Sequence, residues 1–205
     1  MTTATHTGAV TKAAPEDAAA LARTLARALA DDPVTTWFLP READRPQRLL
    51  RGFEQVFLRR IALPRDATFS VEAHAGVAMW LPPGQAQLGA LEQLRLLPAM
   101  ARAWGRHLPR ALRGMSAMDA GHPHEPHWYL WLLGVDPQRQ GEGLGSRLLA
   151  EVLERCDRDG VPAYLEATTP RNRELYLSHG FEDAGDLRLP DDGPRLWPMW
   201  REPGA

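Results

Sequence analysis

The chain has 205 residues, 24 basic and 26 acidic, for a net charge of −2, and 44% of them are hydrophobic. That length buries a full core, while the charge supplies no basic face for a nucleic-acid partner. The one cysteine, Cys156, excludes an intramolecular disulfide; no apolar run approaches the roughly 20 residues of a membrane span, and residues 1–8 lack the basic and apolar regions of a signal peptide. We expect a soluble, cytoplasmic protein.

Residues 1–7 are small and polar and read as a disordered tail. Ala9 to Ala13 reads as a short first strand. Pro15-Glu16-Asp17 opens a helix, with proline and acids in its first turn, and Asp31-Asp32-Pro33 stops it. A second helix is expected from Arg45 to Ile61, because Leu49, Leu50, Phe53, Val56, Phe57 and Ile61 recur at helical spacing. Thr68 to Ala73 and Val77 to Leu81 alternate as a hairpin. From Leu88 to Met118 runs an arginine-rich helical stretch, interrupted by Pro98 and Pro109, that reads as two or three helices covering one side of a sheet.

The C-terminal half is more regular. A strand from His127 to Val135 leads through a glycine-rich turn into a helix from Leu144. A strand at Pro162 to Ala167 and a short helix at Arg171 to His179 follow. Strands at Glu182 to Leu189 and Arg195 to Arg201 close the chain as a hairpin. This order suits an α/β (α+β) fold with a mixed central sheet of about seven strands flanked by helices, and a helical insertion between strands three and four.

The turn carries the chemistry. Gln138-Arg139-Gln140-Gly141-Glu142-Gly143-Leu144-Gly145-Ser146 lies between a strand and a helix. Glycines there let a ligand approach the backbone closely, and the unpaired N–H groups of a helix N-terminus favour an anion such as a phosphate. The sequence has no Gly-Lys-Ser/Thr here, and glycines at 141, 143 and 145 do not fit a dinucleotide-binding fingerprint. They do fit Gln/Arg-x-x-Gly-x-Gly/Ala. Downstream stand Thr168-Thr169-Pro170-Arg171-Asn172 and the Tyr-x-x-x-Gly-Phe pattern at Tyr176, Gly180 and Phe181. Together these resemble the GNAT acetyltransferases. Further stretches, among them Gly143-Leu144-Gly145-Ser146, Pro170-Arg171-Asn172 and Gly193-Pro194-Arg195, look like the puromycin-acetylating branch of that family, most clearly from Glu125 onward.

The resemblance implies one acetyltransferase domain over residues 8–205, with an acetyl-CoA-binding core at 125–205 and the insertion at 88–120 on the acceptor side. Acetyl-CoA would be the co-substrate, held by residues 138–141 and 143–146, by the backbone of Leu133, Gly134 and Val135, and by Asn172, for which a helix cap is the alternative role. Glu142 sets an acid beside the phosphates, unfavourable unless its side chain points to solvent. Tyr176 would face the thioester sulfur and protonate the departing thiolate, since a phenol is protonated at neutral pH. Glu166 or Glu125 would take the proton of the attacking ammonium. The acceptor would be a primary amine on a small molecule, an aminonucleoside or other antibiotic, with Glu125, Trp128, Trp131 and Trp37 shaping its pocket and Trp80 and Trp104 near it. Acetylation of a protein N-terminus or lysine is the alternative, as is a non-catalytic acyl-CoA-binding module. A monomer or homodimer is expected.

His122, His124, Glu125 and His127 crowd together, but their spacing matches no standard zinc pattern, and no metal is expected. Cys156 follows Val152 and Leu148 on an apolar helix face and reads as buried and inert, which favours direct transfer over an acetyl-cysteine.

Overall fold

A computed structural model describes residues 8–204; the tail expected at residues 1–7 lies outside the described residues. Eight strands build a mixed sheet: β1 (Val10–Lys12), β2 (Thr68–Val71), β3 (Gly76–Leu81), β4 (Trp128–Val135), β5 (Ala163–Ala167), β6 (Glu182–Asp183), β7 (Leu187–Arg188) and β8 (Arg195–Arg201). Their order is β1-β2-β3-β4-β5-β8-β6, with β7 beside β8. Only β4 and β5 run parallel; the other pairs are antiparallel.

Helices cover both faces. On one lie α1 (Ala18–Ala28), α3 (Arg45–Gly52) with the helical segment Phe53–Ala62 that continues it, α4 (Ala90–Trp104) and α5 (Leu108–Ala120), burying Leu21, Leu25, Val56, Ile61 and Met100 against Val77, Met79 and Tyr129. On the other lie α6 (Leu144–Asp159) and α7 (Pro170–Leu177), where Leu148, Leu149 and Val152 meet Phe69, Trp80, Leu130 and Leu165. Each fully buried leucine contributes about 1.5–3 kcal/mol relative to an exposed one.

Several sequence expectations need correction. The helix expected from Arg45 to Ile61 is α-helical only to Gly52 and continues as a π-helix over Phe53–Ala62. Apolar spacing marks the buried face of either helix type, so periodicity missed the change. Asp32 does end the first helix region, yet its carboxylate also accepts from Thr35 N–H at 2.9 Å and caps a short helix, α2 (Pro33–Phe38). Pro98 sits inside α4 without ending it, and Pro109 lies in the first turn of α5, where its missing N–H costs nothing. The strand expected from Glu182 to Leu189 is split into β6 and β7 around Gly185, whose φ is +152°.

Two irregularities shape the centre. Between Met79 and Trp80 the β3–β4 register slips: Met79 pairs with Leu132 but Trp80 with Leu130, leaving Trp131 as an extra residue. This bulge turns Trp131 and Leu132 to the same face, that of α1 and α3. Secondly, β4 and β5 pair only across Trp128–Leu130 and Ala163–Leu165. Beyond Leu130 and Leu165 the parallel strands part company, leaving an open cleft in the sheet.

Candidate active site

The cleft leads directly to the glycine-rich turn. Leu133, Gly134 and Val135 pair with Ala78, Val77 and Gly76 of β3 on one side, so their other backbone edge borders the gap towards β5. Gly134 has its own packing reason: a Cβ there would come within 3.0 Å of Ala28 and 3.1 Å of Leu25, so the glycine lets α1 lie close on β4. The Val135 carbonyl accepts from the Gln140 amide at 3.3 Å.

Past Val135 the chain makes a turn at Pro137–Arg139 and enters α6, with Gly143 as its N-cap. Gly141 and Gly143 have φ of +87° and +77°, and nothing lies within 4 Å of where a Cβ on either would sit. Their freedom therefore serves the left-handed backbone and leaves the approach to the helix N-terminus open. The first N–H to close the helix is that of Arg147, which donates to the Gly143 carbonyl at 3.1 Å. The N–H groups of Leu144, Gly145 and Ser146 thus stand at the positive end of a sixteen-residue helix. That cradle fits a diphosphate group.

Glu142 does not conflict with such a ligand. Arg139 donates to both its carboxylate oxygens, at 2.9 and 2.8 Å, so the acid is neutralised by a neighbour rather than merely turned outward. The same arginine meets Glu72 at 2.5 Å, and Arg147 meets Glu72 at 2.6 Å, which holds the Glu72 carboxyl below its ordinary range and ties the β2–β3 turn to the loop.

On the helix-covered side the cleft widens into a cavity of about 130 Å³, bordered by Leu130–Leu133 of β4, Glu166, Thr168, Asn172 and Tyr176. Asn172 lies on its wall and is not the helix cap. That role falls to Thr169, whose hydroxyl accepts from the Asn172 N–H at 3.2 Å. Tyr176, on α7, is only 7% exposed and packs edge-on against Phe181 at 6.0 Å. Burial, and secondly the Asp32 carboxylate, raise its hydroxyl above the ordinary phenol range, so it carries its proton at any physiological pH.

Glu166 is the unusual group. Its side chain is 3% exposed. One carboxyl oxygen, Oε2, accepts from the Tyr129 hydroxyl at 2.8 Å; the other, Oε1, is buried without a hydrogen-bond partner among the described residues. Burial pushes its pKa up to about 7, against the opposing hydrogen bond from Tyr129. A carboxyl poised there exchanges protons near neutrality, as a general base requires.

Two of the histidines flagged in the sequence, His127 and His122, lie behind it, while His124 is exposed. His127 Nδ1 is 2.6 Å from the Glu125 carbonyl and must donate to it. His127 Nε2 then accepts from His122 Nε2, 3.0 Å away, which leaves the His122 Nδ1 lone pair 4.0 Å from Glu166 Oε1. Burial lowers His122 to about 4, so the imidazole nearest the carboxyl is neutral at pH 7.

Sequence reasoning missed Asp32, which read only as a helix stop. It lines the cavity, its second oxygen takes a hydrogen bond from Thr168, and it sets a negative charge near Tyr176. The residues expected around the acceptor divide. Trp131 and Trp104 line the cavity with Phe38, Phe53 and Phe57, and Phe57 meets Trp131 edge-on at 4.9 Å. Trp128 and Trp80 point to the opposite face, among the residues packed on α6, because neighbouring strand residues alternate. Trp37 is buried beneath Arg110 in a satellite cluster with Leu189 and Leu196, outside the cavity wall. The Glu125 side chain is exposed and away from the cavity; only its carbonyl engages the site, through His127. Cys156 is fully buried and its thiol is pushed up to about 12 by burial.

Comparisons with known proteins identify the family. A sequence model of the acetyltransferase (GNAT) family matches residues 75–181, from the β2–β3 turn through Tyr176 to Phe181. An uncharacterized N-acetyltransferase of Schizosaccharomyces pombe is 27% identical over 197 residues, covering 89% of this chain and 78% of that protein. Among solved structures, a Corynebacterium glutamicum protein described as histone acetyltransferase HPA2 and related acetyltransferase superimposes with a TM-score of 0.73 at 26% identity, covering 97% of both chains. A Drosophila melanogaster polyamine N-acetyltransferase shares the fold at a TM-score of 0.63 and 18% identity, over 94% of this chain and 98% of that one. Among the described residues no helix is long and apolar enough to cross a membrane. The chain belongs to the GNAT acetyltransferase family and is an acyltransferase of the N-acetyltransferase type.

Proposed function

We propose that the chain moves the acetyl group of acetyl-CoA onto the primary amine of a small molecule with an aromatic or heterocyclic body, by direct transfer in a ternary complex in the cytoplasm. The loop at 138–146 holds the diphosphate, and the open edge of Leu133–Val135, with Asn172, receives the pantetheine arm as an added strand. Glu166 accepts a proton from the ammonium, freeing the nitrogen to attack the acetyl carbon. As the C–N bond forms and the C–S bond breaks, Tyr176 gives its proton to the departing sulfur. The second proton that the nitrogen sheds on becoming an amide returns to Tyr176 through solvent, and Glu166 releases its own to bulk water. Asp32 adds negative charge that favours an ammonium in the cavity.

One observation carries the reading: a buried carboxyl with a pKa near 7 and a buried, protonated tyrosine share one small cavity at the mouth of the cleft. The aromatic wall of Phe38, Phe53, Phe57, Trp104 and Trp131 supports an acceptor with a flat body. Resemblance in the C-terminal half makes an aminonucleoside such as puromycin a natural first substrate. Cys156, fully buried with its thiol near 12, is a poor acetyl carrier and supports direct transfer.

A panel of amines tests this: puromycin, arylalkylamines, and peptides with a free N-terminus or lysine, each assayed for CoA release from acetyl-CoA. Turnover of at least one small aromatic amine is expected. Efficient acetylation of peptides alone would overturn the reading in favour of a protein acetyltransferase, and acetyl-CoA binding without any turnover would make the chain a non-catalytic module.

A further inference from the structure

A second and larger cavity lies under α4 and α5. It holds about 590 Å³ and shares Met115, Met118 and Trp131 with the cavity at Glu166. The two volumes matter together. Sites that enclose whole small molecules occupy roughly 300–1,000 Å³, and the cavity at Glu166, at about 130 Å³, is too small to do so. It takes an amine and the atoms next to it. The rest of an acceptor must extend past Trp131, and the larger space is there.

The chemistry of that space is specific. Its walls are apolar, with Val56, Ile61, Leu81, Leu96 and Met100 among them, and three of its lining residues are methionines, which adapt to irregular occupants. Asp119, at its rim, is the one carboxylate among its lining residues, and no arginine or lysine lines it. Asp119 has no ion pair among the described residues. Partial burial raises its carboxyl above the ordinary range, as expected of a carboxylate that lacks a cation. Of the other titratable wall residues, His122 is neutral and the buried Tyr129 keeps its proton, so neither can serve as that cation.

We propose that this cavity is a subsite for the body of the acceptor, and that it selects a primary amine whose apolar, aromatic body ends in a second positive charge facing Asp119. Trp131, set on the β4 bulge, is the partition past which that body reaches Glu166. The inference rests on Glu166 receiving the reacting amine and adds what lies at the other end of the substrate.

The test compares benzylamine, 4-(aminomethyl)benzylamine and 4-(aminomethyl)benzoate as acceptors, with homologues carrying longer linkers, in the wild type, Asp119→Asn and Trp131→Ala. Among members of equal length, the diamine should exceed the neutral-tailed amine in kcat/KM by about fivefold or more, the scale of one partly exposed ion pair. The carboxylate-tailed amine should rank last. In Asp119→Asn the diamine-to-monoamine ratio should fall towards about two, the statistical factor for two equivalent amines; the substitution is nearly isosteric and stands at the cavity rim, so the variant keeps the fold. Trp131→Ala should shift the preferred linker length. Turnover with no ranking by distal charge, or a ranking that Asp119→Asn leaves intact, would overturn the subsite while leaving the acetyltransferase centre standing. Failure of every amine in the wild type would overturn both.

Discussion

Glu166→Gln keeps the side chain's volume and an oxygen for the Tyr129 hydroxyl, and removes only the ability to take a proton. With a pKa of about 7, the wild-type carboxyl is about one-tenth ionised at pH 6 and nine-tenths at pH 8. The wild-type kcat/KM should therefore climb about tenfold per unit below pH 7 and level off above it. In the variant that limb should vanish, and kcat should fall by about 10²–10⁴-fold, the usual contribution of a positioned base. Stability offers an independent check. Folding raises this carboxyl from 4.5 to about 7, so between those values the folded chain holds a proton that the unfolded chain has released. Stability from this group is full below pH 4.5 and is lost as the pH rises through 7, by at most about 3 kcal/mol. His122 has the opposite slope, because its folded pKa of about 4 lies below 6.5, and it cancels when variant and wild type are subtracted. Urea melts at pH 5 and pH 8 should show the variant gaining on the wild type at the higher pH. A pH-independent difference in stability, together with an unchanged pH–rate limb, would refute the argument that burial tunes Glu166.

Two further outcomes follow from the loop and the C-terminus. Gly143→Asn tolerates the left-handed backbone but carries a side chain into the open mouth of the loop; acetyl-CoA affinity measured by calorimetry should fall about tenfold, or 1.4 kcal/mol, and unchanged affinity would remove the diphosphate from this loop. Arg201→Ala takes away a buried guanidinium that holds Asp157 at 2.7 and 3.0 Å and the His179 carbonyl at 2.9 Å. It should cost about 1.5–3 kcal/mol, the worth of hydrogen bonds from a charged donor, since Asp157 is itself exposed, and lower Tm by roughly 3–12 °C, read by thermal melts, with a shift under a degree contradicting the structural role.

What the sequence made legible was mostly local. The strand, glycine turn and helix from Trp128 to Asp159 follow from alternation, from φ-permissive glycines and from the apolar spacing of Leu148, Val152 and Cys156, and each lies within a few residues of its expected bounds. Tyr176 and Glu166 were named from pattern and resemblance, and they border the same cavity. The features that escaped depend on distant partners. The bulge at Trp131 arises from the register against Met79 and Trp80, some fifty residues earlier in the chain. The π-helical turn at Phe53–Ala62 is compatible with the same apolar periodicity as an α-helix. Asp32 looked like punctuation before proline, and only the fold carries it to Thr168. The tryptophans divide for a simple reason: composition counts aromatic rings, but strand alternation decides which side of the sheet they serve, and it keeps Trp131 at the cavity while sending Trp128 to the opposite face. The histidine cluster was the reverse case, a sequence curiosity that acquires meaning from the 4.0 Å approach of His122 to Glu166.

The central claim is that transfer occurs at a centre where Tyr176 protonates the leaving sulfur. Tyr176→Phe deletes one hydroxyl and retains the ring that packs on Phe181. Steady-state turnover and direct acetyl-CoA binding, measured side by side in this variant, separate the chemical role from a packing role most directly. In Tyr176→Phe, kcat should be lower by about 10²–10⁴-fold and the acetyl-CoA Kd within about twofold of the wild type. Wild-type turnover in Tyr176→Phe, or a loss of binding that fully accounts for the loss of rate, would contradict the claim.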